Sequence, residues 1–209
     1  MTEVEGPPAF DPDVDHAALA TMSAEEDDLR TAGRWTSAHC QLMDVLGLAH
    51  DEVTACAVLA WALDPLGPHG IGIAVLADLA SELGLDPSGV ARASVRCEVP
   101  RQHSRADVVI SVPDGWTVVV EAKVHSAEGP TQCARLEADW PEPTTLVLLT
   151  RRAGQRPTTA EQSDRWTPLS WSWATATIGR HLGAPTPATP TEEAQASLIL
   201  WLASARRNL

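Results

Sequence analysis

Tyrosine is absent from this 209-residue chain, phenylalanine occurs once, and tryptophan supplies the other eight aromatic residues. Beside the abundant Ala, Arg and Pro, this bias reads as compositional drift in a high-GC genome. The four cysteines, Cys40, Cys56, Cys97 and Cys133, form no Cys-x-x-Cys pair and no short-spaced Cys/His cluster. That leaves no zinc-type or thioredoxin-type spacing, and buried thiols in a reducing compartment follow. Walker and Gly-x-Ser-x-Gly patterns are also missing, which removes the usual support for a nucleotide-processing enzyme or serine hydrolase. No apolar run approaches the roughly 20 residues of a membrane span. The first residues are acidic and Pro-rich, the opposite of a secretory n-region. A soluble, cytoplasmic protein with no membrane partner is expected.

Positive charge is also scarce. Fifteen Lys and Arg face 28 Asp and Glu, a net charge of −13. Such a balance opposes long-range attraction to a polyanion. The deficit is uneven, however. Residues 1–30 hold nine acids and one base, Arg30, so the remainder carries 19 acids against 14 bases, a balance of −5. Bases also gather locally. Arg92, Arg96, Arg101, His103 and Arg105 lie in one stretch, and Arg151, Arg152 and Arg156 in another.

The length suits one domain with a substantial core. Residues 1–14 read as a flexible acidic, Pro-rich leader and residues 15–209 as a single domain. Helices are expected near 15–31, 36–47, 51–63, 70–83, 129–139, 172–182 and 191–206. Asp51 is placed to cap the third of these, with Val53, Ala57, Leu59 and Ala60 as its apolar residues. Asp64-Pro65 closes it. Strands are expected near 94–99, 106–112, 116–123, 145–150 and 167–170. This order predicts an α/β fold: a mixed central β-sheet flanked by helices.

The most informative stretch is a hairpin. Arg105–Val112 and Trp116–Lys123 are joined by Pro113-Asp114-Gly115, a three-residue loop that suits a type I turn with a bulge. Val112 then faces Trp116, Ser111 faces Thr117, Val109 faces Val119, and Asp107 falls opposite Glu121. Directly opposed residues have Cβ atoms about 5 Å apart, and two carboxylates that close repel unless something positive lies between them. Lys123 projects from the same face as Glu121. The other face reads Ala106, Val108, Ile110, Val112, Val118, Val120 and Ala122 and is apolar throughout.

Asp107, Glu121 and Lys123 in this arrangement resemble the PD-(D/E)XK nuclease superfamily. The likeness extends to Glu52 and the Leu59-Ala-Trp-Ala-Leu-Asp-Pro65 stretch, with His69-Gly70 after it. It takes in Gln132, the Leu146–Thr150 strand and Leu169-Ser170-Trp171, so it spans roughly residues 50–175. Two departures stand out. No Pro precedes Asp107, and Gln132 is followed by Cys133-Ala-Arg-Leu136 rather than Gln-x-x-x-Tyr.

The resemblance implies a restriction-endonuclease-like core and a metal-dependent endonuclease hydrolysing phosphodiester bonds, with DNA as its nucleic-acid partner and restriction or anti-phage defence as its role. Asp107, Glu121, the Ala122 carbonyl and Glu52 would hold Mg²⁺, with Mn²⁺ as a substitute. Lys123 would act on the attacking water or the phosphate, and Gln132 on the phosphate or Lys123. His69, Arg101 and Arg105 would contact substrate. The tryptophans read mostly as core, with Trp171 or Trp173 as the alternative base-stacking partner. Double-strand cutting would call for a homodimer. The alternative is a non-cleaving nucleic-acid or protein interaction module on the same fold. The lesser alternative for the hairpin is a surface ribbon with Glu121 and Lys123 solvated, disfavoured because an acid opposite an acid in mid-strand calls for a cation.

Overall fold

The computed structural model describes residues 21, 23–25, 27–29, 31–32, 42–184 and 190–209. Cys40, the 1–14 leader, part of each of the first two expected helices, Pro185 and Pro187 lie outside them. The chain divides into two units, Met1–Cys40 and Gln41–Leu209. In the first, the described residues from Thr21 to Thr31 are helical. Everything below belongs to the second.

That unit runs α1 (Leu42–Val45), α2 (Glu52–Leu63), α3 (Gly72–Glu82), β1 (Ser94–Pro100), β2 (Arg105–Ser111), β3 (Thr117–Ala122), α4 (Gln132–Asp139), β4 (Thr145–Thr150), β5 (Trp166–Ser170), α5 (Trp171–His181) and α6 (Glu192–Asn208). Single 3₁₀ turns at Val90–Arg92 and Ser163–Arg165 lead into β1 and β5. The strands form one sheet in the order β1-β2-β3-β4-β5. The first three make an antiparallel meander; β3, β4 and β5 run parallel. Parallel neighbours need a crossover, and α4 supplies it between β3 and β4. This is a mixed α/β sheet with flanking helices.

The hairpin has the register its loop demands: Ser111 opposite Thr117, Val109 opposite Val119, and Val108 opposite Val120. One face of the sheet packs Val108, Ile110, Val118, Val120, Ala122, Val147 and Leu149 against α2, α3, α5 and α6. The other packs Val109, Val119, Leu146, Leu148 and Trp166 against Cys133, Leu136 and Trp140 of α4 and its end. Residues 146–149 are therefore buried on both sides, as a central parallel strand requires. Each such side chain contributes roughly 1.5–3 kcal/mol of burial.

Asp51 caps α2 as expected, its carboxylate accepting the Thr54 N–H at 2.6 Å. The expected apolar face of α2 is partly wrong: Val53 and Ala57 are exposed, and Ala55, Cys56, Leu59 and Ala60 face the core. Asp64 accepts the Leu66 N–H at 2.9 Å and so shapes the Asp-Pro turn. No helix among the described residues is long and apolar enough to cross a membrane.

Candidate functional site

The charged ends of β2 and β3 meet where the hairpin ladder stops. Its last paired rung is Val108 with Val120. Two residues further on, an ordinary ladder would offer the Ala122 N–H the Ala106 carbonyl. Instead the Ala122 N–H donates to Oδ2 of Asp107 at 2.7 Å. The Asp107 carboxylate has entered the ladder in place of a backbone group and is nine-tenths buried.

Glu121 lies beside it and is fully buried. Its Oε1 accepts from Gln132 Nε2 at 2.5 Å and pairs with Lys123 Nζ at 2.7 Å. Its Oε2 is buried with no hydrogen-bond partner. A buried anionic oxygen without a donor costs several kcal/mol unless a positive group answers it. Lys123 also reaches Oε1 of Glu52 at 3.5 Å. Oε2 of Glu52 accepts from the Val124 N–H at 3.0 Å and from the Ser126 hydroxyl at 2.7 Å. Asp51 starts α2, and the first residue of that helix thereby clamps the chain just beyond Lys123.

Electrostatics follow from this crowding. Burial, then the charge of Asp107, pushes the Glu121 carboxyl above the usual carboxylate range. Burial pushes Asp107 up as well, against the pull of the Ala122 N–H and Lys123. Burial draws the Lys123 ammonium down, but its bond to Glu121 and the charges of Glu121, Glu52 and Asp107 outweigh it, so its pKa is raised. The lysine stays charged.

Glu52, Asp107 and Gln132 line a cleft of about 470 Å³ together with Arg101, Arg105 and Arg135. Arg101 lies over the Trp140 ring, 4.0 Å from its centroid. Arg105 pairs with Glu98 at 2.8 Å and is largely exposed. Glu98 has φ of 53°, a left-handed residue inside β1, beside the missing rung to Asp107.

Asp107, Glu121, Lys123, Glu52 and Gln132 therefore come together, with Arg101 and Arg105 at the rim. Gln132 bonds to Glu121 rather than to Lys123, and its Oε1 accepts the Gly129 N–H at 2.9 Å. Ala122 ends β3 with its methyl in the core. His69 is not part of the site. It is fully buried; its Nε2 meets the Trp61 carbonyl at 2.7 Å and its Nδ1 accepts the Ile71 N–H at 3.2 Å. With both nitrogens committed to backbone, it has none for a substrate. Trp171 is also core, donating its indole N–H to the Lys123 carbonyl at 3.3 Å, and Trp173 is partly buried against the core.

Sequence reasoning missed Glu98, Ser126, Arg135 and Trp140. Ser126 alone left a local signal, a hydroxyl three residues after Lys123. The others depend on contacts distant in sequence. Among the described residues no three His, Cys, Asp or Glu side chains form a ready metal cluster. No protein-family model, curated protein or solved structure matches this chain.

Proposed function

We propose that this chain is a Mg²⁺-dependent nuclease with a restriction-endonuclease-like core, hydrolysing phosphodiester bonds of DNA, with Mn²⁺ as a substitute ion. The role in restriction or defence rests on the family resemblance. The observation that carries the reading is Oε2 of Glu121, a buried carboxylate oxygen with no donor, beside Lys123 and beside Asp107, which lines an arginine-rimmed cleft. A hard cation suits an all-oxygen set. Asp107 and Glu121 would hold it with the Ala122 carbonyl. The remaining ligands would be oxygens of water and phosphate, which is compatible with only two carboxylates. When bound, the ion would polarise the phosphate and lower the pKa of a water.

The chain's own residues have distinct tasks. Lys123, kept charged by three carboxylates, stands ready to stabilise negative charge developing on the phosphate. Gln132 fixes one oxygen of Glu121 and leaves the other for a ligand. Glu52 is itself fixed by Val124 and Ser126, and it sets the position of Lys123. Arg101 and Arg105 present guanidinium groups to phosphate oxygens.

The test is cleavage of supercoiled, linear and single-stranded DNA, and of RNA, with Mg²⁺ or Mn²⁺. Cutting by the purified protein should vanish with chelator and fall at least about 100-fold in Lys123→Ala. Equal cutting by the variant overturns the reading. Binding without cutting supports the interaction module. That second reading draws on the ion pairs from Lys123 to Glu121 and Glu52, which offset much of the carboxylate charge without a metal.

A further inference from the structure

Lys123 borders a second cleft, of about 620 Å³. Its charged side chains are all of one sign: Lys123, Arg151, Arg152, Arg206 and Arg207, with His125 and the last residue, Leu209, beside them and no Asp or Glu side chain among the described lining residues. Like charges this close repel one another. Arg207 pairs with Asp44 at 2.8 Å, and Arg151 Nη1 meets His125 Nδ1 at 3.3 Å. The guanidinium groups of Arg152 and Arg206 have no hydrogen bond or ion pair to a described residue.

Helix-end preference accounts for part of this cluster. Arg206 and Arg207 lie in the last turn of α6, where the macrodipole favours cations. It does not account for Arg151 and Arg152. They leave the C-terminal end of β4 on a turn that is held in place, Thr150 Oγ1 donating to the Arg152 carbonyl at 2.8 Å. That turn and the end of α6 line the cleft with the residues after β3, so cations from two further segments converge beside Lys123. The Arg206 guanidinium lies against Gly179, whose lack of a side chain leaves it room. Converging guanidinium groups, of which Arg207 is paired with Asp44, and Arg152 and Arg206 with no described acid, suit phosphate oxygens.

We propose that this cleft is a phosphate-binding track that holds the nucleic-acid strand next to the carboxylate site. The assignment rests on the nuclease reading for the substrate class. It also adds a direction, since it puts the strand on the side of Lys123 away from Arg101 and Arg105. Glu52 lines the first cleft and bonds to Val124 and Ser126, which line the second, so it links the two.

The test is fluorescence anisotropy of the full chain with labelled single-stranded and duplex DNA across a salt series, in chelator so that nothing is cut. Each lost phosphate contact should reduce the slope of log affinity against log salt by about 0.7 on single strands and about 0.9 on duplex. Arg151→Ala with Arg152→Ala should weaken binding and reduce the slope by about twice those amounts. Arg151→Lys with Arg152→Lys, which keeps both charges, should retain the slope. Arg92→Ala with Arg180→Ala removes equal charge outside the cleft and should retain it too. An unchanged slope in the first pair, or an equal loss in the control pair, overturns the track. Oligonucleotides ending in phosphate or in hydroxyl separate the two sources of phosphate. An effect tied to the phosphorylated end assigns a terminal phosphate to the cleft, an equal effect assigns internal ones, and either supports it. Binding with the expected slope but no cutting in Mg²⁺ leaves the track standing and removes the nuclease. Cutting with an unchanged slope does the reverse.

Discussion

At the scale of single residues, two carboxylates share a dry corner with one ammonium. Asp107 and Glu121 each raise the cost of ionising the other, so the site holds electrostatic free energy that function would use. Asp107→Asn keeps an acceptor for the Ala122 N–H and removes the repulsion. It should abolish cleavage while raising stability by about 1–2 kcal/mol, read as a higher Tm. Added Mg²⁺ should raise the Tm of the unsubstituted protein by binding only the folded state, and should leave the variant unmoved.

His69 gives a different signature. Its ring is held neutral, one nitrogen donating and the other accepting, and burial keeps its pKa below the ordinary 6.5. A depressed folded pKa means that the stability tied to the neutral ring is complete above pH 6.5 and is lost as pH falls through the folded value. Denaturant melts below neutrality should therefore fall more steeply for the unsubstituted protein than for His69→Gln. Equal slopes would show that the ring does not titrate on unfolding. Glu98 completes this scale. A left-handed residue with a β-carbon costs roughly 1 kcal/mol, so Glu98→Gly should be about 1 kcal/mol more stable than Glu98→Ala, both having lost the Arg105 pair.

At the scale of elements, the hairpin was the most legible part of the chain. Its loop length fixes its register, and a one-residue slip would turn Asp107 and Glu121 to the opposite face. The start of α2 was legible for a similar local reason, since an N-cap acts over three residues. Asp51→Ala should cost about 1 kcal/mol and lower cleavage through Glu52, with kcat falling and the Kd for DNA in chelator unchanged. The start of α4 was not legible. The helix was expected from residue 129 and begins at Gln132, because Thr131 adopts φ of 55° and the Gln132 side chain is taken up by the Gly129 N–H. Likewise, among described residues the second expected helix survives only as Leu42–Val45. Propensity does not register such tertiary competition.

At the scale of the whole molecule, the sequence revealed the alternation of helices and strands, and with it the mixed sheet. It also revealed which strand ends carry charge. It did not reveal which cations would converge. Arg151 and Arg206 are 55 positions apart by their numbers, and only the parallel return of β4 and the packing of α6 bring them to one cleft. His69 was misread for the complementary reason: a His-Gly after a helix break looks the same in sequence whether it is sealed or open. Cys56 and Cys133 are buried thiols as composition suggested, whereas Cys97 is only half-buried. Burial first pushes Cys56 upward and brings Cys133 to about 12, so neither should react with a thiol reagent at neutral pH until the protein is unfolded.

The missing rung of the hairpin makes one backbone position spectroscopically useful. Because the Ala122 amide is held by a side chain and not by a strand, its nitrogen resonance should respond directly to whatever the Asp107 carboxylate is doing. A metal titration followed at that amide would register occupancy of the site with no substrate and no turnover, and would do so even in a Lys123→Ala protein that cannot cut.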